Sequence, residues 1–192
     1  TISRTATLSR QLSMFFKCYI NTLLAEKEYM IGESSGGRSA TIVYSGGDDV
    51  FLAGAWNEVI SAFCDIRKAL ERFSLGSLTI SGGISVYDPS YPINVMANET
   101  QMLEDLSKKI DNKNAITLWN EDHSYPWSEF LEKVIAEKMQ MIDSYFTNNK
   151  NRGMSFLYHL TELLRENREQ IHIARYVYLL SRMEPDEKSP AT

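Results

Sequence analysis

Apolar residues recur at helical spacing between Thr5 and Glu28, at Leu8, Leu12, Phe15, Phe16, Tyr19, Leu23 and Leu24. The pattern predicts an amphipathic helix, ended by the Gly- and Ser-rich stretch GESSGGRS at 32–39, which reads as a mobile loop. Residues 40–45 and 50–53 read as short strands joined through Gly46, Gly47, Asp48 and Asp49. A second amphipathic helix carries Val59, Ile60, Phe63, Ile66, Leu70 and Phe73. The period then falls to two in SLTISGGISVY at 77–87, where Leu78, Ile80, Ile84 and Val86 share one face with Gly82 in register. Pro89 and Pro92 bound a loop, a helix follows at about 93–110, and NAITLW at 114–119 reads as a last strand.

This alternation predicts a mixed helix-and-strand fold with a split βαβ sheet. After Trp119 the pattern changes. NEDHSYP is a polar connection ending in Pro126, and from Trp127 onward the periodicity is helical throughout. Trp127, Phe130, Leu131, Val134, Ile135, Ile142 and Tyr145 mark one helix. Phe156, Leu157, Leu160, Leu163 and Leu164 mark a second, and Ile171, Ala174, Tyr178 and Leu179 a third. The chain therefore divides into a mixed domain at 1–120 and a small all-α domain at 121–192, with a frayed tail from Pro185.

Composition narrows the function. A net charge of -5 and a pI near 5.3 argue against a protein that coats nucleic acid generally, while leaving room for a local basic groove. Cys18 and Cys64 have no CxxC spacing, which argues against a disulfide scaffold or a zinc site and fits a reducing cytoplasm. No apolar run approaches the roughly 20 residues that span a bilayer, and the N-terminus does not resemble a signal peptide. The chain opens at Thr1, directly into a helix, and reads as a fragment.

TIVYSGGDDVFLAG at 41–54 carries the candidate chemistry. Two glycines between β-forming runs are a good hairpin signal, and aspartate is a common turn residue. Two adjacent carboxylates just before Val50, Phe51 and Leu52 are less expected, because like charges repel unless a cation neutralises them. A hard divalent ion such as Mg²⁺ takes one or two carboxylates together with phosphate oxygens. Glycines beside them would let phosphates approach the backbone.

SGGDDVFLAG between two helices resembles the palm of nucleotide cyclases and polymerases. With TISRTATLSRQLSMFFKCYIN before it, LEDLSKKIDNKNAITLW after it, and RGMSFLYHLTELLRE and IHIARYVYLLSR in the helical tail, the chain resembles the large palm-containing subunit of type III CRISPR effector complexes, the Csm (type III-A) branch above all. That resemblance implies an α+β fold, a ferredoxin-like palm lacking its first strand, followed by a helical domain similar to the complex's small subunit. It also implies a C-terminal piece holding the second palm. A metal-binding aspartate on the strand before the first helix falls outside the chain.

The activity implied is synthesis of cyclic oligoadenylates from ATP with two Mg²⁺ or Mn²⁺ ions. The implied partners are the other Csm subunits and, through the complex, guide and target RNA, with no membrane. By position, Asp48 and Asp49 are the implied catalytic residues and metal ligands. Ser45, Gly46, Gly47, Ser81, Gly82 and Lys108 are the implied nucleotide contacts. Lys108 shares its helix end with Lys109 and Lys113, and an ordinary solvated helix end explains such lysines equally well. Packing of the first helix on the sheet would likewise explain Gly82 and Gly83, and Ser9, Arg10 and Ser13 read as an outer polar face. His123, His159 and His172 are too scattered for a metal site, and the arginines and glutamates of the tail read as a solvated or subunit-contacting face. Two other functions stay open: a non-enzymatic assembly module whose GGDD is a turn, and metal-dependent cleavage of single-stranded DNA at the same aspartates.

Overall fold

The computed structural model describes residues 2–28, 30–31, 37–110, 113–148 and 158, with 145–148 as backbone only. The centre of the predicted 32–39 loop and the two helices predicted beyond Asn148 lie outside the described residues. The chain forms two compact units, Thr1–Glu132 and Lys133–Thr192.

In the first unit, the predicted first helix is built in three pieces: α1 (Ile2–Met14), a π-helical turn (Phe15–Tyr19) and α2 (Ile20–Ala25). Neighbouring residues of a regular helix diverge by about 100°. The wider π turn, in which the Ile20 N–H donates to the Phe15 carbonyl, lets both Phe15 and Phe16 reach the interior, 2% and 3% exposed. Their rings meet edge to face at 5.2 Å, a favoured aromatic geometry. Leu8, expected to face the core, is exposed.

Strands β1 (Ala40–Gly46) and β2 (Asp49–Gly54) form an antiparallel hairpin, with a register shift between Ile42 and Tyr44 that leaves Val43 as the bulged residue. Helix α3 (Trp56–Phe73) follows. Its end is closed by the Gly76 N–H donating to the Glu71 carbonyl at 2.8 Å, with Leu75 and Gly76 at positive φ, a left-handed helix stop. Phe15, Phe16, Ile20, Ile66, Ala69 and Leu70 make one core cluster, and Ile42, Val50 and Leu52 lay the inner face of the hairpin on it.

The remaining strands are β3 (Gly82–Ile84), β4 (Ala115–Leu118) and β5 (Ser124–Pro126), with helix α4 (Ile93–Ser107) crossing between the first two. β3 and β4 are parallel; β4 and β5 are antiparallel. The expected single sheet is thus two sheets among the described residues, β1-β2 and β3-β4-β5. The physical reason lies in residues 77–81, whose neighbourhood bonds through side chains. The Trp127 indole donates to the Ile80 carbonyl, and the hydroxyls of Thr79 and Ser81 donate to the Lys113 carbonyl. Strand β5 was not expected at all. It carries Trp127, which is fully buried, into the mixed unit, where its ring meets Phe63 at 5.0 Å and Phe130 at 5.8 Å.

Helix α5 (Trp127–Glu129) and a π-helical segment (Phe130–Met139) follow, and the division between units falls within that segment. The described part of the second unit continues as α6 (Gln140–Asn148).

Candidate nucleotide site

Gly46 pairs with Asp49, so the hairpin loop is the two residues Gly47 and Asp48 rather than the two glycines. Gly47 has φ +62° and Asp48 does not share the positive φ, which is the type II′ pattern with glycine first. Nothing lies within 4 Å of where a Gly47 side chain would begin, so its main chain is open to solvent. Asp48 occupies the tip and Asp49 the first position of β2, both exposed. The phenol of Tyr44 folds over Gly46 instead, its hydroxyl 2.2 Å from where a Gly46 Cβ would stand. Sequence reading passed over Tyr44; the bulge at Val43 is what turns this half-exposed ring toward the loop.

Ser45 donates its hydroxyl proton to the Phe16 carbonyl, and Ser81 donates its own to the Lys113 carbonyl at 2.7 Å. A hydroxyl has one proton and two lone pairs. Toward a ligand these serines are therefore acceptors, suited to a ribose hydroxyl rather than to a phosphate oxygen. Gly82 is held by packing: a Cβ there would stand 2.2 Å from the Phe63 ring of α3. A Cβ on Gly83 would stand 2.4 Å from the Thr100 carbonyl and 2.7 Å from the Glu104 nitrogen of α4. The close partners are α3 and α4, not the first helix.

That contact seats α4 on β3, and Lys108 is the C-cap residue of α4. Its ammonium pairs with Glu104 at 2.8 Å. The hydrogen bond to Glu104 holds the amine above the ordinary lysine range; partial burial opposes this, and the charges of Glu104, Asp105 and Asp49 add to it. The structure thus brings Lys108, a protonated cation, into the field of the hairpin aspartate. Ser81 and Gly82 lie on β3 or just before it, and a cleft of about 940 Å³ beside Phe15, Tyr19 and Phe73 contains none of the candidate residues.

Among the described residues no group of three or more His, Cys, Asp or Glu side chains is placed to hold a metal. The hairpin alone offers two exposed carboxylates, a donor set that fits a Mg²⁺- or Mn²⁺-bound polyphosphate better than a metal caged by protein, since Mg²⁺ keeps waters and phosphate oxygens as ligands. His123 sits on Asn120, 2.7 Å between Nδ1 and Oδ1, and joins no metal cluster.

A mixed palm with a carboxylate hairpin and a helical second unit is the class of structure these features define. Residues 1–117 match the second palm domain of Cas10/Cmr2, and residues 143–192 match the second helical domain of the Cmr2 subunit of the CRISPR RNA silencing complex. The chain belongs to the Cas10 family. It is 46% identical over 186 residues to the single-strand-specific deoxyribonuclease Cas10/Csm1 (subtype III-A) of Mycobacterium tuberculosis, covering 95% of this chain and 23% of that protein. Among solved structures, a Csm1–Csm4 cassette in complex with one ATP superposes with a TM-score of 0.66 at 23% identity, over 97% of this chain and 29% of that one. A Csm1–Csm4 cassette in complex with cA3 gives 0.65 at 21% identity, over 97% and 29%. The chain thus spans about a quarter of the relatives it matches.

Proposed function

We propose that this chain is the catalytic palm portion of a cyclic oligoadenylate synthetase in a type III-A CRISPR complex. The observation that carries the reading is the glycine-opened turn that presents two exposed carboxylates, one of which, Asp49, contributes to the field at Lys108. Such a site suits a triphosphate: the Lys108 ammonium opposes phosphate charge, and the open Gly47 main chain admits it closely. Asp48 and Asp49 would hold Mg²⁺ or Mn²⁺. The metals, when bound, would lower the pKa of an attacking 3′-hydroxyl and neutralise charge on the departing pyrophosphate. Ser45 and Ser81 would accept from ribose hydroxyls, and Gly47 would leave room for the nucleotide, whereas Tyr44 fills the space beside Gly46 and Phe63 that beside Gly82. In the reaction a ribose 3′-oxygen bonds to the α-phosphorus of a second ATP, its proton leaves to solvent, and pyrophosphate departs. Similar cassettes hold ATP and cA3, a substrate and a product of the proposed kind.

The partners proposed are a Csm4-type subunit, the other Csm subunits, and guide and target RNA in the assembled complex, in the cytoplasm. No helix among the described residues is long and apolar enough to cross a membrane.

A second reading, cleavage of single-stranded DNA at the same aspartates, is favoured by the relative's name. The test is the complete complex with target RNA, given labelled ATP in one reaction and labelled single-stranded DNA in another. Asp48→Ala and Asp49→Ala should abolish cyclic products and leave DNA loss unchanged. Loss of DNA cleavage alone would assign the aspartates to the nuclease, and no effect on either would make the hairpin a turn in an assembly module.

A further inference from the structure

The sequence has no lysine or arginine between Arg72 and Lys108, and none between Lys113 and Lys133. The fold gathers both stretches into β3, α4, β4 and β5. Because β3 and β4 run parallel, with Ile84 opposite Leu118, the chain leaves both strands at the same end. The two exits are tied together by the Trp119 N–H, which donates to the Ile84 carbonyl at 2.8 Å.

This end exposes aromatic rings. Tyr87 and Tyr91 stack nearly parallel, with centroids 5.2 Å apart. Trp119 is 49% exposed although it follows the buried Leu118, and its φ of +63° is a left-handed conformation that a bulky residue rarely adopts. Around the rings lie Asp88, Glu121 and Asp122, all exposed; neither stretch holds a lysine or arginine, and His123 meets Trp119 edge to face at 5.8 Å with its Nδ1 on Asn120. Such a rim repels nucleic-acid phosphates and anionic lipid headgroups alike. It complements arginine, whose guanidinium pairs with carboxylates and also lies on aromatic faces. Exposed tyrosine and tryptophan are the residues that anchor protein interfaces.

We propose that the exit end of β3 and β4 is a docking surface for an arginine-rich segment of a partner protein. Helix α4 runs from the exit of β3 back to the start of β4, so Lys108, at its far end, stands at the opposite end of this sheet. A segment docked on the aromatic end therefore leaves the candidate nucleotide site uncovered, and the proposal stands independently of the function assigned to that site.

The test is fluorescence anisotropy of a labelled octa-arginine peptide titrated with the whole chain at physiological salt. Charge reversal by Glu121→Lys with Asp122→Lys should weaken binding about tenfold, and Trp119→Ser severalfold, as loss of an anchor does. The pair Glu137→Lys with Asp143→Lys makes the same change of net charge in the second unit and should weaken binding less than about twofold. Both charge reversals lie on exposed side chains, so folding is retained and is checked by circular dichroism. Absence of binding, or equal loss in both reversed pairs, would overturn the proposal. A short labelled single-stranded DNA that binds the chain in the absence of peptide, and binds Trp119→Ser more weakly, would overturn it in favour of nucleic acid.

Discussion

The hydroxyl of Ser45 donates a 2.5 Å hydrogen bond to the main-chain carbonyl of Phe16, joining the GGDD hairpin to the π-helical turn. Ser45→Ala removes the proton that this carbonyl receives, leaving a partly buried acceptor short of a partner. The expected loss is about 1 kcal/mol, read as a fall of roughly 2–4 °C in Tm for a chain of this size. Ser45→Thr, which keeps the hydroxyl, should retain more of the stability.

The loop after α2 is held on α3 by buried charge. Arg38 pairs with Asp65 and lies 4.0 Å from Glu58, which also pairs with Lys27 at 3.3 Å; the Arg38 and Asp65 side chains are 1% and 4% exposed. Asp65→Ala leaves a guanidinium facing a lost carboxylate and should destabilise the first unit by about 3–5 kcal/mol. Denaturant unfolding measures it, and the exposed Glu71, which pairs with the part-buried Arg67 at 3.3 Å, is the control, with Glu71→Ala costing about 0–1 kcal/mol.

Gly83 and Gly82 differ in what surrounds them. A Gly83 Cβ meets main-chain atoms of α4, which cannot swing aside, whereas a Gly82 Cβ meets the Phe63 ring, held in turn by Trp127. Gly83→Ala should therefore push α4 off β3 and destabilise by about 1–3 kcal/mol or more. Because α4 carries Lys108, the same change should weaken nucleotide binding. Gly82→Ala paired with Phe63→Leu should recover part of the stability that Gly82→Ala loses alone.

The two thiols should behave oppositely. Cys18 is exposed and Cys64 is buried, so alkylation of the folded chain should modify Cys18 alone until denaturant is added. Burial pushes the Cys64 thiol up from 9.0 to about 12. A folded pKa above the unfolded one means stability present below pH 9 and lost as pH rises toward 12. Between those values the wild type should lose Tm more steeply than Cys64→Ala, since the lysines and tyrosines titrate in both.

The helices α3 and α4, the hairpin and the position of Lys108 at a helix end were legible because each rests on local periodicity or on a turn residue. The π turn was not, since the group that takes the Phe16 carbonyl, Ser45, is far away in sequence. Strand β5 escaped because three residues ending in proline show no alternation, and Pro126 is tolerable there only at an edge. Arg38 stood in a Gly- and Ser-rich stretch that suggested solvent, and its burial is a tertiary effect of Asp65 and Glu58. Of the site, the aspartates and their lysine were readable as residue types. The commitment of the Ser45 and Ser81 protons and the placement of Tyr44 over Gly46 required coordinates.

The central claim, that the hairpin and Lys108 together bind a metal–triphosphate, is tested most directly by calorimetric titration of the chain with ATP in the presence of Mn²⁺. Binding should require Mn²⁺ and should weaken about tenfold or more in both Asp48→Ala and Lys108→Ala, each loss corresponding to about 1.4 kcal/mol or more. Undiminished Mn²⁺-dependent affinity in Asp48→Ala would contradict the account.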